Sequence, residues 1–291
     1  MKPEISVIIV VKNDPGVAKT LALLSEQVTK RSYETIVVDA SLPETLSTIR
    51  GQFPKVHWEQ FDQKGKRFTI GEQRNRGMEL ARGGAILFID ANCEPVPGWI
   101  EAIAQAMDDG EDVVTGPCDT SNDGNMVHYI QDHAERTYVR ECTTINVGFK
   151  REVFKRVGMF DTKLDYGEDV DYFWRVTDAG FKICFDPSAR ISHDYGDANE
   201  QMVRAYRYGK SRAAIHRKHW RTRWKQLLQK EPHVWIYPLF ILTLPLALLW
   251  PYYLLVLLIP IVKNRSISLV AHHLIYGWGV IMGAITPLGN H

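Results

Sequence analysis

The chain has 291 residues, with 35 Lys or Arg against 34 Asp or Glu and a formal charge of +1. That length accommodates one large α/β domain plus further segments, with a core that needs no disulfide or metal to hold it, and the near-neutral balance excludes a general nucleic-acid binder. The charge is unevenly spread: Arg204 to Lys230 carries ten Lys or Arg and no acid, so the remainder is mildly acidic.

An apolar run, Ile5 to Val11, opens the chain as a buried strand; it is too short and wrongly flanked for a signal peptide. KNDPG (12 to 16) is the turn after it, with Asp14 and Pro15 starting a helix over Val17 to Gln27. Tyr33 to Asp39 reads as a second strand ending in an aspartate, Pro43 to Arg50 as a short helix, and 56 to 61 as an alternating, less buried strand. A glycine-flanked basic loop from Lys64 leads into a helix over Glu72 to Arg82. Ala85 to Ile89 is then a strand buried on both faces, because the run is short, unalternating and followed by turn formers.

That strand ends in Asp90 and Asn92. Residues two apart on a strand point the same way, so both can aim oxygens at one place if strand geometry persists through them. At the carboxyl end of an open α/β sheet that place is the usual ligand crevice, and hard oxygen donors there suit a divalent cation sharing phosphate oxygens with a substrate. The competing role is structural: Asp90 capping the next helix and Asn92 turning the chain.

Beyond Pro97 a helix runs to Met107, 112 to 119 is a strand, and 122 to 141 is polar with a helical tendency. Thr144 to Phe149 reads as extended, Arg151 to Val157 as helical, and a loop dense in acids (Asp165, Glu168, Asp169, Asp171) precedes a helix over Val170 to Asp178. Mutual repulsion among those acids can raise one pKa and make a proton acceptor. Two short strands within 181 to 193 end in His193. The alternation implies an α/β fold with a doubly wound sheet; no GxGxxG follows the first strand, so it is not a dinucleotide-binding unit. Four widely spaced cysteines form no CxxC pair and read as core thiols in a reducing compartment.

From Val234 to Val262 there is no charge, and Ile267 to Leu288 is a second apolar segment; both exceed the roughly 20 residues that cross a bilayer. Immediately before them, 205 to 230 interleaves Arg and Lys with Trp220 and Trp224. It reads as an interfacial helix on the cytoplasmic side, cations toward anionic lipid, rather than as a nucleic-acid surface. Pro238, Pro245, Pro251 and Pro260 leave a tilted span and a re-entrant hairpin both open, and Gly277, Gly279 and Gly283 allow close helix packing. His272 and His273 are read as interfacial rather than as metal ligands.

The ordered pieces VIIVVKND, ETIVVDAS, RNRGMELARGGAILFIDAN, NVGFKREVFKRVGMFD, YGEDVDYFWR and ISH resemble the family 2 glycosyltransferases of the GT-A fold over about the first 195 residues. The resemblance implies a GT-A-type mixed, mainly parallel sheet. It also implies a catalytic domain over 1–200, after which the composition of the tail gives the basic segment 201–232 and hydrophobic helices over 233–291. It implies a nucleotide-sugar donor, UDP-sugar favoured, with Asp39 at the nucleoside and Arg74 near the donor; Lys64 and Lys66 are weaker diphosphate candidates. Asp90 and Asn92 match the family's DxD motif and His193 a histidine that completes its metal site, with Mn2+ or Mg2+ as cofactor. Here the second carboxylate is an amide, which keeps an oxygen ligand but loses a charge. Asp169 corresponds to the general base and Glu168 to a residue positioning acceptor or base; each has helix capping as its structural alternative. Trp174 reads as core, with packing under a sugar as the alternative, and Arg76 and Arg82 as a solvated helix face. The tail points to a lipid-linked or membrane-held glycan acceptor at the cell membrane. Asn92 also motivates a rival: a transferase-like scaffold or regulatory subunit. A nucleotidyltransferase would need a glycine-rich triphosphate loop after the first strand, which KNDPG is not, and a polymerising synthase is disfavoured by the lack of QxxRW.

Overall fold

The computed structural model describes residues 2–61, 68–120, 133–257, 262 and 267–286; Lys64 and Lys66 lie outside them. The described chain divides into two compact units, one ending at Asp194 and one running from Tyr195.

In the first unit, β1 (Ile5–Val11), β2 (Tyr33–Asp39), β3 (His57–Gln60) and β4 (Ala85–Ile89) are parallel. Beyond β4 come β9 (Asn146–Lys150), β6 (Val113–Thr115), β10 (Ile183–Phe185) and β8 (Thr137–Val139), giving the order β3-β2-β1-β4-β9-β6-β10-β8. The sheet is mixed because β9 runs against both β4 and β6, and β8 against β10. Alternation along β1 sends Ile5, Val7, Ile9 and Val11 into one core and Ile8 and Val10 into the other. Helices α1 (Val17–Ser25) and α4 (Trp99–Asp108) cover the first face, and α3 (Ile70–Leu80), α5 (Arg151–Val157) and α6 (Glu168–Asp178) the second. This three-layer arrangement is what the sequence led us to expect. Short α2 (Ser47–Gln52) starts later than the expected Pro43, after a turn. Helix α3 starts at a capping box in which the Thr69 side chain accepts from the Glu72 N–H and Glu72 reaches back to the Thr69 N–H.

Two expectations are corrected. The expected single strand over 112 to 119 is broken, because Gly116 passes so close to the Ala189 carbonyl that an added Cβ would lie 2.1 Å from its oxygen. Its second part, β7 (Cys118–Thr120), joins β5 (Cys93–Pro95) and β11 (Ile191–His193) in a separate sheet, β5-β11-β7. Buried Asn146 ties the two sheets: its amide donates to the Pro117 and Ala189 carbonyls at 3.1 and 2.7 Å and accepts from the Trp99 indole at 2.8 Å. The described part of the segment read as helical contains strand β8 instead, paired with β10.

The second unit contains α7 (Ala198–Lys218), α8 (Trp220–Lys230), α9 (His233–Thr243), two 3-10 segments (Leu244–Leu248 and Pro251–Leu257) and α10 (Ile267–Ile285). The expected single interfacial helix is two, breaking at His219. The described part of the uncharged run likewise gives no continuous α-helix, since α9 ends at Thr243 and gives way to the two 3-10 segments; before it, α8 and the stretch His233–Leu248 meet at a 76° bend. Among the described residues, one helix, α10, is long and apolar enough by itself to cross a membrane.

Candidate active site

The carboxyl ends of β1, β2 and β4 and the start of α6 carry the chemistry-bearing residues. Asp39, at the end of β2, is almost wholly buried. Its carboxylate accepts from the Trp58 indole N–H at 3.1 Å and from the Ser41 N–H at 2.8 Å, while the Gln60 amide donates to the carbonyls of Asp39 and Ser41. Sequence reasoning missed Trp58 and Gln60 as partners. The signal was available, since β3 alternates and these two residues share one face.

At Asp90 the strand stops. Asn92 sits in the left-handed region with φ 62°, so strand geometry does not persist from Asp90 to Asn92 and the expected alignment of their side chains is corrected. The Asn92 side chain instead lies over Gly16 at the start of α1, where an added Cβ would come within 2.6 Å of the Asn92 Cβ and 2.8 Å of its amide oxygen. Asp14 caps that turn by accepting from the Gly16 N–H at 2.8 Å. Gly16→Ala is therefore expected to cost about 1–3 kcal/mol through overpacking, lowering the melting temperature by about 2–10 °C. Adding Asn92→Gly, which removes the obstructing side chain and suits the positive φ, is expected to recover most of the loss in thermal melts.

Pairing of β11 with β5 sets His193 opposite Cys93, with His193 Nδ1 3.4 Å from the Asn92 carbonyl oxygen and 3.5 Å from Cys93 Sγ. Burial first, and the charge of nearby Asp90 second, push the Cys93 thiol well above its ordinary value. Asp90 and His193 thus both border Cys93. Among the described residues no three His, Cys, Asp or Glu side chains lie close enough to hold a metal by themselves. A carboxylate and an imidazole suit a divalent cation only if it draws its other ligands from water and ligand phosphates, which is how Mg2+ is commonly held.

Arg74 on α3 and Glu168 in the first turn of α6 form a buried ion pair, and Arg74 Nη2 lies 3.7 Å from Asp90. Among the described residues, Arg74 Nε has no hydrogen-bond partner. Gly71 leaves room beside the Glu168 side chain, with an added Cβ 3.5 Å from Glu168 Cγ. Neighbouring acids are engaged differently: Asp171 is bonded at 3.0 Å to Arg175, which also donates to the Val157 and Met159 carbonyls. Asp169 accepts from the Val170 N–H at 2.8 Å. Its carboxyl is pushed above the ordinary range chiefly by burial; Asp90 adds to the rise, and Arg74 and the N–H groups of Val170 and Thr144 oppose it. The upward shift comes from burial and Asp90, not from repulsion among the clustered acids as the sequence suggested. Glu168 and Asp169 lie inside α6, not in the loop before it. Trp174 is fully buried and donates to Glu141 at 2.7 Å, a core position. Arg76 pairs with Glu59 and Glu79, and Arg82 with Glu34, on the outer surface.

A family model described as Glycosyl transferase family 2 matches residues 6–160. Glycosyltransferase AglE of Haloferax volcanii is 27% identical over 229 residues, covering 73% of this chain and 74% of that protein. Hyaluronan synthase of Pasteurella multocida is 32% identical over 125 residues, 40% of this chain and 13% of that protein. A pre-mycofactocin glycosyltransferase of Mycobacterium tuberculosis is 24% identical over 165 residues, 50% of this chain and 34% of that protein. The chain therefore spans about a third of the last and about an eighth of the hyaluronan synthase. The crystal structure of GalNAc-T7 with UDP, GalNAc and Mn2+ matches in fold, with a TM-score of 0.58, 16% identity, and coverage of 72% of this chain and 51% of that one. With the family match extending over more than half of its length, the chain is a glycosyltransferase and belongs to glycosyl transferase family 2.

Proposed function

We propose that the protein is an inverting glycosyltransferase that moves a sugar from a UDP-sugar to the hydroxyl of a lipid-linked or membrane-held acceptor. The observation that carries the reading is the convergence of charged side chains from separate elements: Arg74 on α3 pairs with Glu168 on α6 and lies 3.7 Å from Asp90 after β4, and both charges act on adjoining Asp169. In this reading the acceptor O–H gives its proton to Asp169 as the oxygen bonds to the anomeric carbon. The bond from that carbon to the diphosphate breaks, its electron pair leaving with the diphosphate. Asp169 suits the task because burial raises its affinity for a proton.

Asp39 keeps lone pairs beyond those used by Trp58 and Ser41, so its carboxylate can accept from a nucleoside N–H or hydroxyl. Arg74 acts through its neighbours, holding Glu168 and standing beside Asp90. Asp90 and His193 would hold a divalent cation, which when bound would neutralise charge on the departing diphosphate. The GalNAc-T7 structure, with UDP and Mn2+ bound, supports this ligand class. Apolar surface exposed in the second unit supports the membrane-held acceptor, and the basic stretch supports a cytoplasmic site of action.

Thermal melts across UDP, GDP and a panel of UDP-sugars, each with and without Mn2+ or Mg2+, test the donor and the metal together. Ligand at 100 times its Kd adds about 2.7 kcal/mol, a rise of about 5–10 °C, and is expected for uridine nucleotides with metal. No shift from any uridine nucleotide under either condition would sink the donor reading.

A further inference from the structure

The second unit carries an arrangement that fits poorly with α10 as a membrane span. At 19 residues α10 is about 28 Å long, near the roughly 30 Å of hydrocarbon it would have to cross. Yet α7 lies against it, backbone to backbone. An added Cβ at Gly209 would be 2.0 Å from the Tyr276 carbonyl oxygen, at Gly279 2.2 Å from that of Tyr206, and at Gly283 2.2 Å from that of Lys210. Further along, the Arg217 guanidinium donates to the Ala284 and Thr286 carbonyls at 2.9 and 2.8 Å, closing the last turn of α10. The contacts advance in one direction along both helices, from Tyr206 to Arg217 and from Tyr276 to Thr286, so the two run side by side.

Helix α7 cannot follow α10 through hydrocarbon. It bears Arg204, Arg207, Lys210, Arg212, Arg217 and Lys218, of which Arg207, Arg217 and Lys218 are exposed. Placing such cations at bilayer depth is unfavourable even on the most lenient scale.

Laid flat, the same helices are well matched to a bilayer surface. On α10 the glycine face meets α7, while Ile267, Trp278 and Ile285, at helical spacings of eleven and seven, form an exposed apolar stripe. On α8 the exposed Trp220, Trp224 and Leu228 stand four apart on one face, flanked by Arg221, Lys225 and Lys230, and no residue of α8 is buried. The bent segment after α9 leaves Leu248 and Leu249 88% and 84% exposed. Aromatic and aliphatic side chains beside a dense row of cations complement the headgroup and upper acyl region of anionic phospholipid.

We infer that the second unit is a monotopic anchor, seated in one leaflet of an anionic membrane, and that α10 lies in the interface without crossing. The inference builds on the membrane part of the proposed function and is independent of the donor and the base.

The full chain separates the two. Sedimented with vesicles of three parts phosphatidylcholine to one part phosphatidylglycerol, it is expected to bind at least tenfold more strongly than to phosphatidylcholine alone, and less at high salt. Recovery in the supernatant, with a dimer by light scattering, would assign the apolar face to a second copy and end the membrane reading itself. Topology is then read in sealed membrane vesicles from expressing cells, using a membrane-impermeant maleimide on Ser268→Cys and on a cysteine added after His291, with the unsubstituted chain as background. Equal labelling at the two ends of α10, in whichever orientation the vesicles seal, is the expected result. One end reacting only after detergent opening would show a span and overturn the monotopic anchor while leaving membrane association intact.

Discussion

Asp169→Asn is expected to lower sugar transfer by about 10²–10⁴-fold, the contribution typical of a positioned general base, while the variant melts at the same temperature as the native chain or above it. The two effects have one cause. Burial and the nearby Asp90 charge disfavour ionised Asp169 and raise its pKa, so the ionised form that accepts the proton is also a strained occupant of the folded state. An amide there keeps an oxygen for the Val170 and Thr144 N–H groups and discards the charge. In the native enzyme the base must be deprotonated, so the rate falls as pH drops through the raised pKa. The acid limb should therefore lie above about pH 3.9, where an unperturbed aspartate titrates. Release of UDP from the UDP-sugar that best stabilises the chain, measured with a membrane lipid extract as acceptor source, reports the rate. Asp171→Asn is the control: Asp171 is fully buried against Arg175, so its loss should lower the melting temperature. An Asp169→Asn variant that retains activity would remove this residue from the base's role.

The fold was legible where burial dictates composition. Strands β1, β2 and β4 are covered by helices on both faces, so they appear as mainly apolar runs, interrupted in β1 only by Ser6 and polar in β2 only at its ends and at Glu34 and Thr35. What escaped was decided by distant contacts. Gly116-Pro117 is a local break signal between Val113–Thr115 and Cys118–Thr120, but that the two enter different sheets goes with Gly116 being pressed against Ala189, more than seventy residues away in sequence. The site shows the same division. Its residue types can be read from ordered motifs, but the direction of each side chain cannot. Arg74 and Arg76 look alike within RNRG, yet one helical position points into the first turn of α6 and the other toward Glu59 on the surface. Asn92 reads as a ligand by its place after Asp90, while its left-handed backbone, fixed by tertiary packing, turns it over Gly16.

Arg74→Met should have the largest effect on stability of any substitution near the site. Its guanidinium and the Glu168 carboxylate are 5% and 3% exposed; removing one partner of such a pair leaves the other charge buried without compensation and costs about 3–5 kcal/mol, equivalent to about 6–20 °C in melting temperature for a unit of this size. Removing both charges is another matter. Pairing Arg74→Met with Glu168→Leu takes away the stranded carboxylate, and well-packed apolar pairs in such places are often neutral or stabilising, so the double variant is expected to recover at least half of the loss. A double variant as unstable as the sum of its single changes would show that the ion pair is not the source of the cost. The electrostatics give a second, independent readout on the milder Arg74→Gln. Arg74 lowers the Asp169 pKa and Asp90 raises it, so deleting the guanidinium shifts the balance upward and the acid limb of the rate profile moves to higher pH. A purely structural arginine would leave that limb in place. Movement of the limb, at a temperature where the variant is fully folded, separates an arginine that tunes the base from one that only holds α3 to α6.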